Sequence, residues 1–167
     1  MNLMRIIRHL VTGQSVVKRA FPSDTLNTIK QTIAHSEATH DGEIVFAVEA
    51  SLDLSLLLKN HSSRERAIDV FSLLRVWDTE QNNGVLIYLL MADHSVEIIA
   101  DRGIHTRVEQ VEWEAACDTM ETAFSQGQFE QGILTGIDAI TRVLQQYFPA
   151  DSADKRKNEL SDSPVVL

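Results

Sequence analysis

The chain has 167 residues with 15 basic and 24 acidic side chains, and its formal net charge is −9. This length fits one domain with a sizeable core, and 44% hydrophobic and 23% charged residues are typical of a soluble globular protein. Cys117 is the only cysteine, which excludes an internal disulfide and a zinc site built from several cysteines, and suits the cytoplasm. No apolar run approaches the roughly 20 residues that a membrane-spanning helix needs.

Charge is distributed unevenly along the chain. Residues 1–20 carry a net charge of +4, residues 150–167 carry −1, and the body between them carries −12. Such an acidic body repels phosphate backbones, so the sequence predicts no nucleic-acid partner. It would attract cations.

The first 20 residues predict an amphipathic helix that ends near Gly13. Arg8 and His9 interrupt the apolar stretch, which excludes the uninterrupted core of a signal peptide. Two interpretations remain open: the helix packs on its own domain, or its basic face binds a membrane surface or a partner. The apolar positions that recur at helical spacing are Leu3, Ile6, Ile7, Leu10 and Val11.

The remaining pattern alternates between helices and strands. Periodicity predicts a helix that begins at Pro22-Ser23-Asp24 and ends near Glu37, then a buried strand at 43–49 and a loop at 51–63. A helix over 63–77, a core strand over 85–92 and a strand over 96–100 follow, and the last two should form an antiparallel hairpin. Helices are expected at 112–124 and 129–148, and Gly132 and Gly136 in the second predict close approach to the sheet. Three regions result: an amphipathic N-terminal helix at 1–20, a domain at 21–149 and a disordered tail at 150–167.

This order of elements predicts an α/β fold, a three-layer α/β/α sandwich with a small mixed sheet. The strands 43–49 and 85–92 should run parallel because a crossover helix joins them. The start of each of these strands and the end of the hairpin's second strand then meet at one edge of the sheet. The polar residues expected there are Glu37, Thr39, Asp41, Asp78, Thr79, Asn82, Asn83 and Asp101.

Carboxylate, hydroxyl and amide oxygens of this kind are the ligands that hard cations such as Ca²⁺ and Mg²⁺ prefer. The same residue types also cap helices and shape turns, so both roles remain open. No phosphate-binding loop, nucleophile elbow or zinc-protease motif occurs in the chain. Cys117 lies on a predicted apolar helix face, which indicates a buried, inert thiol.

Several short motifs resemble those of the TPM domain, named after thylakoid-lumen, photosystem-II-repair and acetylcholine-receptor-modulator proteins. The resemblance covers about residues 21–149, and the chain is similar to the short bacterial kind that consists of this domain alone. The motifs are Glu37-x-Thr39-x-x-Gly42-Glu43-Ile44, Thr79-x-x-Asn82-Asn83-Gly84-Val85-Leu86-Ile87, Ile98-x-x-Asp101-x-Gly103-Ile104, Trp113 and Phe148-Pro149.

The resemblance implies a Rossmann-like sandwich, divalent-cation binding and, from a plant member, acid phosphatase activity. Carried onto this chain, it implies that a Ca²⁺ or Mg²⁺ ion is bound by Glu37, Thr39, Asp78, Asn83 and Asp101. If the chain is an enzyme, a cation held by Asp78 and Asp101 would polarise a phosphate ester. Arg102 and Gly103 would then bind the phosphate, while Glu37 or Asp101 would serve as base.

The sequence therefore predicts one of two functions, and a fold without any ligand site remains a third alternative. The first is a cation-binding module that is regulatory or scaffolding in membrane-protein maintenance or envelope stress. By analogy alone, its partner would be a membrane-associated protein of the LemA type, and its location cytoplasmic or membrane-peripheral. The alternative is a metal-assisted acid phosphatase that hydrolyses phosphomonoesters.

Overall fold

The computed structural model describes residues 3–150 and 158–167. The helices are α1 Leu3–Val11, α2 Gln14–Ala20, α3 Ser23–Glu37, α4 Leu54–Leu58, α5 Ser63–Leu73, α6 Arg102–His105, α7 Gln110–Ser125 and α8 Phe129–Tyr147. The strands are β1 Glu43–Glu49, β2 Gly84–Leu90, β3 Ser95–Ala100 and β4 Val165–Val166, and a short 3-10 turn, Met91–Asp93, joins β2 to β3.

These strands form one mixed sheet in the order β3-β2-β1-β4. β1 and β2 run parallel, with Glu43 opposite Gly84, whereas β2 and β3 run antiparallel, with Val85 opposite Ala100. The starts of β1 and β2 and the end of β3 therefore meet at one edge of the sheet, as the sequence predicts. This edge carries the candidate site.

Helices cover both faces of the sheet, which confirms the three-layer α/β/α sandwich. Side chains of a strand alternate between faces. Ile44, Phe46 and Val48 pack with apolar residues of α3, α7 and α8, while Val45 and Ala47 pack with those of α4 and α5. No described helix is both long and apolar enough to cross a membrane.

Some local expectations differ from the structure. Helix α5 ends at Leu73 rather than Trp77, and Arg75 has a left-handed backbone with φ of 55°. The expected loop at 51–63 contains α4. Gly132 and Gly136 permit close packing of α8 against α7 rather than against the sheet, because an added Cβ would lie 2.5 Å from Phe124 and 2.3 Å from Met120.

Residues 3–20 form two helices, and Gly13 separates them at the N-cap of α2. Buried Val17 of α2 belongs to the core on the α3–α7–α8 face, and Ile6 of α1 packs against the opposite core. This segment therefore packs on the domain.

The expectation of a disordered tail at 150–167 is wrong for its last residues. Val165–Val166 pairs in parallel with Ala47–Val48 of β1, and Leu167 N donates to Val48 O at 2.9 Å. Leu160 and Val165 pack against the core on the α4–α5 face. These few apolar residues give no periodic signal, and their partners lie more than 100 positions earlier. The part of this expectation that concerns 151–157 lies outside the described residues.

Candidate functional site

Three loops meet at the edge where β1 and β2 begin and β3 ends, and backbone hydrogen bonds join them. Glu43 N donates to Asn83 O at 3.0 Å, and Asp101 N donates to Gly84 O at 2.9 Å. Gly103 N donates to Asn82 O, also at 3.0 Å. The loops 79–84 and 101–103 therefore form one continuous unit beside the start of β1.

Gly103 permits this close approach. A Cβ at this position would lie 2.5 Å from Asn82 O and 2.7 Å from Gln81 O, and both are backbone atoms with little freedom to move. Asn82 has a left-handed backbone with φ of 53°, which asparagine tolerates better than most residues. The Asn82-Asn83-Gly84 turn can therefore lie this close to residue 103 because that residue is glycine.

Asn83 lies at the centre of the site and is 2% exposed. Its backbone N–H donates to Thr79 Oγ1 at 3.0 Å, and its side-chain Nδ2 donates to Asp41 O. These contacts fix the orientation of the amide. Its Oδ1 is buried and accepts no hydrogen bond from the residues that the structure describes.

Asp101 caps the short helix α6. Its Oδ1 accepts a hydrogen bond from Arg102 N at 2.7 Å, and its backbone O accepts from Ile104 N at 3.0 Å and His105 N at 2.8 Å. Its Oδ2 is buried and has no hydrogen-bond partner in the described part of the chain. Buried polar atoms are normally satisfied, so two unsatisfied acceptors on adjoining strand ends are notable.

The other predicted ligands have protein partners. Glu37 Oε1 accepts from Ile44 N at 2.7 Å and so supports the start of β1. Thr39 is exposed, and its hydroxyl donates to Ser36 O at 2.7 Å and accepts from Gln145 Nε2 at 2.9 Å. Asp78 is exposed and forms an ion pair with Arg75 at 2.8 Å.

The two residues expected to bind phosphate also form hydrogen bonds within the protein. The backbone N–H groups of Arg102 and Gly103 donate to Asp101 Oδ1 and Asn82 O. The Arg102 side chain is exposed, and its Nε donates to Asn82 Oδ1 at 2.9 Å. These donors hold the two loops together.

The sequence places Thr79 and Asp41 at this edge, and neither is among the predicted cation ligands. The Thr79 hydroxyl and the Asp41 carbonyl orient Asn83, so both act as positioning groups. The Thr79-x-x-x-Asn83 spacing could have indicated the first of these contacts, because a threonine hydroxyl can accept a hydrogen bond from a nearby backbone N–H. Among the described residues, no group of three or more His, Cys, Asp or Glu side chains is arranged to hold a metal.

The fold resembles that of several solved structures. The NMR structure of BA42 protein from the psychrophilic bacterium Bizionia argentinensis has a TM-score of 0.75 and 29% sequence identity, and the match covers 87% of this chain and 94% of that one. The solution NMR structure of the N-terminal domain of a P. gingivalis protein has a TM-score of 0.59 and 15% identity, covering 74% and 76%. The second likeness shows the fold alone. No curated protein matches the chain.

The sequence model for the TPM domain matches residues 17–143, which is more than half of the chain and includes both loops of the candidate site. The chain belongs to the TPM domain family.

Proposed function

We propose that this TPM domain binds a divalent cation, Ca²⁺ or Mg²⁺, through Asp101 Oδ2 and Asn83 Oδ1. The observation that supports this proposal is the pair of buried oxygens that accept no hydrogen bond from the described residues. Leaving a buried acceptor unsatisfied costs about 1–3 kcal/mol, and a bound cation would remove that cost. Carboxylate and amide oxygens also suit hard cations.

The donor set implies modest affinity. Asp101 contributes one negative charge, and Asn83 contributes a neutral amide. Affinity of Ca²⁺ sites falls as fewer charged ligands are available, so we expect a dissociation constant of roughly 10⁻⁴–10⁻³ M. Glu37, Thr39 and Asp78 are not part of this proposed pair, because each has another partner.

The proposed role is regulatory or scaffolding. The alternative, a metal-assisted acid phosphatase, has less support because the N–H groups of Arg102 and Gly103 already donate within the protein. A phosphate would have to compete with these hydrogen bonds. A phosphatase assay with p-nitrophenyl phosphate, with and without 10 mM MgCl₂ or CaCl₂, should therefore show no turnover.

Calorimetric titration with CaCl₂ and MgCl₂ tests the cation site directly. Asp101→Asn keeps the size of the side chain and remains a good helix cap, but it removes the charge. We expect it to weaken binding at least about tenfold. Asp78→Asn is the matched control in the neighbouring loop, and its affinity should stay within about twofold of the wild type. Absence of binding by the wild type, or an equal loss in both variants, would contradict the proposal.

We further propose that the module acts beside a membrane-associated protein, such as one of the LemA type, in membrane-protein maintenance or envelope stress. The supporting feature is α1, most of whose outward residues are apolar although the helix packs on the domain. These exposed residues are Leu3, Met4, Ile7, Leu10 and Val11. Leu10→Ser with Val11→Ser should abolish cosedimentation with membranes that contain the partner, while Leu54→Ser with Leu58→Ser should not. Equal cosedimentation of both double variants would overturn this role.

A further inference from the structure

The outer edge of β3 lies in a groove at the side of the sheet opposite β4. The groove runs along Val96–Ala100 between α5 and α7, and we call it the edge groove. It consists of two adjoining cavities of about 270 and 200 Å³. Both are lined by Arg64, Ile98, Gln110 and Trp113.

Side chains occupy several of the backbone groups that β3 turns away from β2, and one of them is the Cys117 thiol, which is hydrogen-bonded to the backbone of Ile98. Val96 N donates to Glu121 Oε1 at 3.0 Å, and Ile98 O accepts from Arg64 Nη1 at 3.1 Å. Exposed edge strands are commonly protected by charged side chains in this way. The side chains of Glu121 and Arg64 are long and flexible. The main chain of an added strand can therefore replace them as the hydrogen-bond partners of Val96 N and Ile98 O.

Trp113 provides a second, independent observation. It is 3% exposed and lines both cavities, yet its indole Nε1–H donates to no acceptor among residues 3–150 and 158–167. A buried donor of this kind normally has a partner. A peptide carbonyl in the edge groove would supply one.

The two walls of the edge groove differ in chemistry. The wall from α7 carries the acidic residues Glu114, Asp118 and Glu121, while the wall from α5 carries Arg64 and also Ile68, which is 49% exposed. Trp113 of α7 and Ala67 of α5 belong to the cores on opposite faces of the sheet. Because alternate side chains of a strand point to opposite faces, an added strand would present every second residue to the acidic wall.

We infer that the edge groove binds an extended segment of a partner protein in which basic and apolar residues alternate. The segment would add to β3 as a fifth strand, with its basic residues toward α7 and its apolar residues toward Ile68. A second copy of this chain fits poorly, since pairing two edge grooves would bring two acidic walls together. This inference does not depend on the cation site.

Fluorescence anisotropy with labelled peptides tests the inference. The probe is an eight-residue, acetylated and amidated peptide in which lysine and valine alternate. One comparison peptide has four lysines followed by four valines, and a second alternates glutamate and valine. We expect the alternating lysine peptide to bind at least about tenfold more tightly than either. Equal binding of the block peptide would indicate charge attraction alone and overturn the inference, as would absence of binding at millimolar concentration.

Protein variants locate the binding surface. Glu114→Gln with Asp118→Asn removes two exposed charges from the α7 wall and should weaken binding about threefold to tenfold. Asp24→Asn with Asp53→Asn removes the same amount of charge elsewhere in the protein. This control should change affinity less than twofold. Trp113→Phe removes the indole donor and should also weaken binding. Equal effects of the two double variants, or a peptide-independent dimer that buries the edge groove, would refute the inference.

Discussion

His9 Nε2 lies 3.0 Å from Asp93 Oδ1, which connects the first helix of the chain to the turn between β2 and β3. The other ring nitrogen, Nδ1, accepts a hydrogen bond from Leu52 N at 2.9 Å, so Nε2 is the nitrogen that donates to Asp93. Arg5 donates from Nε and Nη2 to Asp93 Oδ2 at 2.9 and 2.7 Å. One carboxylate therefore holds α1 against the domain.

Asp93→Asn should destabilise the protein by about 2 kcal/mol, because hydrogen bonds to a charged acceptor contribute about 1.5–3 kcal/mol. Urea unfolding at pH 7 measures the change. Asp138→Asn is the matched control, since its ion pair with Arg142 is exposed and should contribute only about 0.3–0.5 kcal/mol. Similar losses in both variants would show that Asp93 does not hold α1.

The effect of Asp93 should depend on pH. Burial disfavours the Asp93 carboxylate, but hydrogen bonds from Arg5 and His9 outweigh burial, so its pKa lies below the ordinary value. A lowered folded-state pKa gives stabilisation that is complete above the unfolded-state value of about 3.9 and is lost as the pH falls through the folded value. The difference in unfolding free energy between wild type and Asp93→Asn should therefore stay constant from pH 7 to about 5 and shrink below pH 4. A difference that grows on acidification would contradict this.

The C-terminal strand should contribute measurably to stability. Val165 packs against the core, whereas the next residue, Val166, is 44% exposed. Val165→Ser should cost about 1 kcal/mol through lost apolar burial, and Val166→Ser should cost less than about 0.5 kcal/mol. Denaturant unfolding of the two variants provides the comparison. If neither substitution changes the midpoint, β4 does not pack on β1 in solution.

Gly103→Ser should separate the loops of the candidate site. The new Cβ would overlap the carbonyls of Gln81 and Asn82, and overpacking of this kind costs about 1–3 kcal/mol. Gly13→Ser is the control, because a Cβ there meets no atom within 4 Å and serine is a good N-cap. Thermal unfolding should show a lower melting temperature for Gly103→Ser alone. An unchanged melting temperature would mean that the loops can move apart without cost.

Cys117 should react slowly as a thiol. Burial raises its pKa to about 12, and nearby Glu97 and Glu121 act in the same direction. Since the thiolate is the reactive form, modification by DTNB at pH 8 should be at least about a hundredfold slower in the folded protein than in 6 M guanidinium chloride. Stability should also decline above about pH 8.5, where the unfolded thiol ionises and the folded thiol does not. Cys117 is partly buried and lines the edge groove, and rapid modification of the folded protein would contradict the raised pKa.

The arrangement of the loops could be predicted because it follows from local patterns. Helical periodicity, the buried strands 43–49 and 85–92 and the crossover between them require the starts of β1 and β2 to share an edge. The end of the antiparallel strand 96–100 was expected at the same edge because this strand runs back along strand 85–92. Which side chains at that edge remain available could not be read from residue types, because Asp78 and Asp101 look equally suitable until Arg75 is seen to pair with the first.

The sequence alone determined the α/β class, the parallel pairing of β1 with β2 and the meeting of the three loops, since these depend on hydrophobic period and chain order. Tertiary structure decided the features that depend on contacts between distant residues. These include the pairing of Val165 with Ala47, the attachment of α1 through Asp93 and the unsatisfied oxygens of Asn83 and Asp101. The reason is physical: an individual long-range hydrogen bond or a two-residue strand leaves no periodic trace in the chain, and its partner becomes known only when the fold brings the two together.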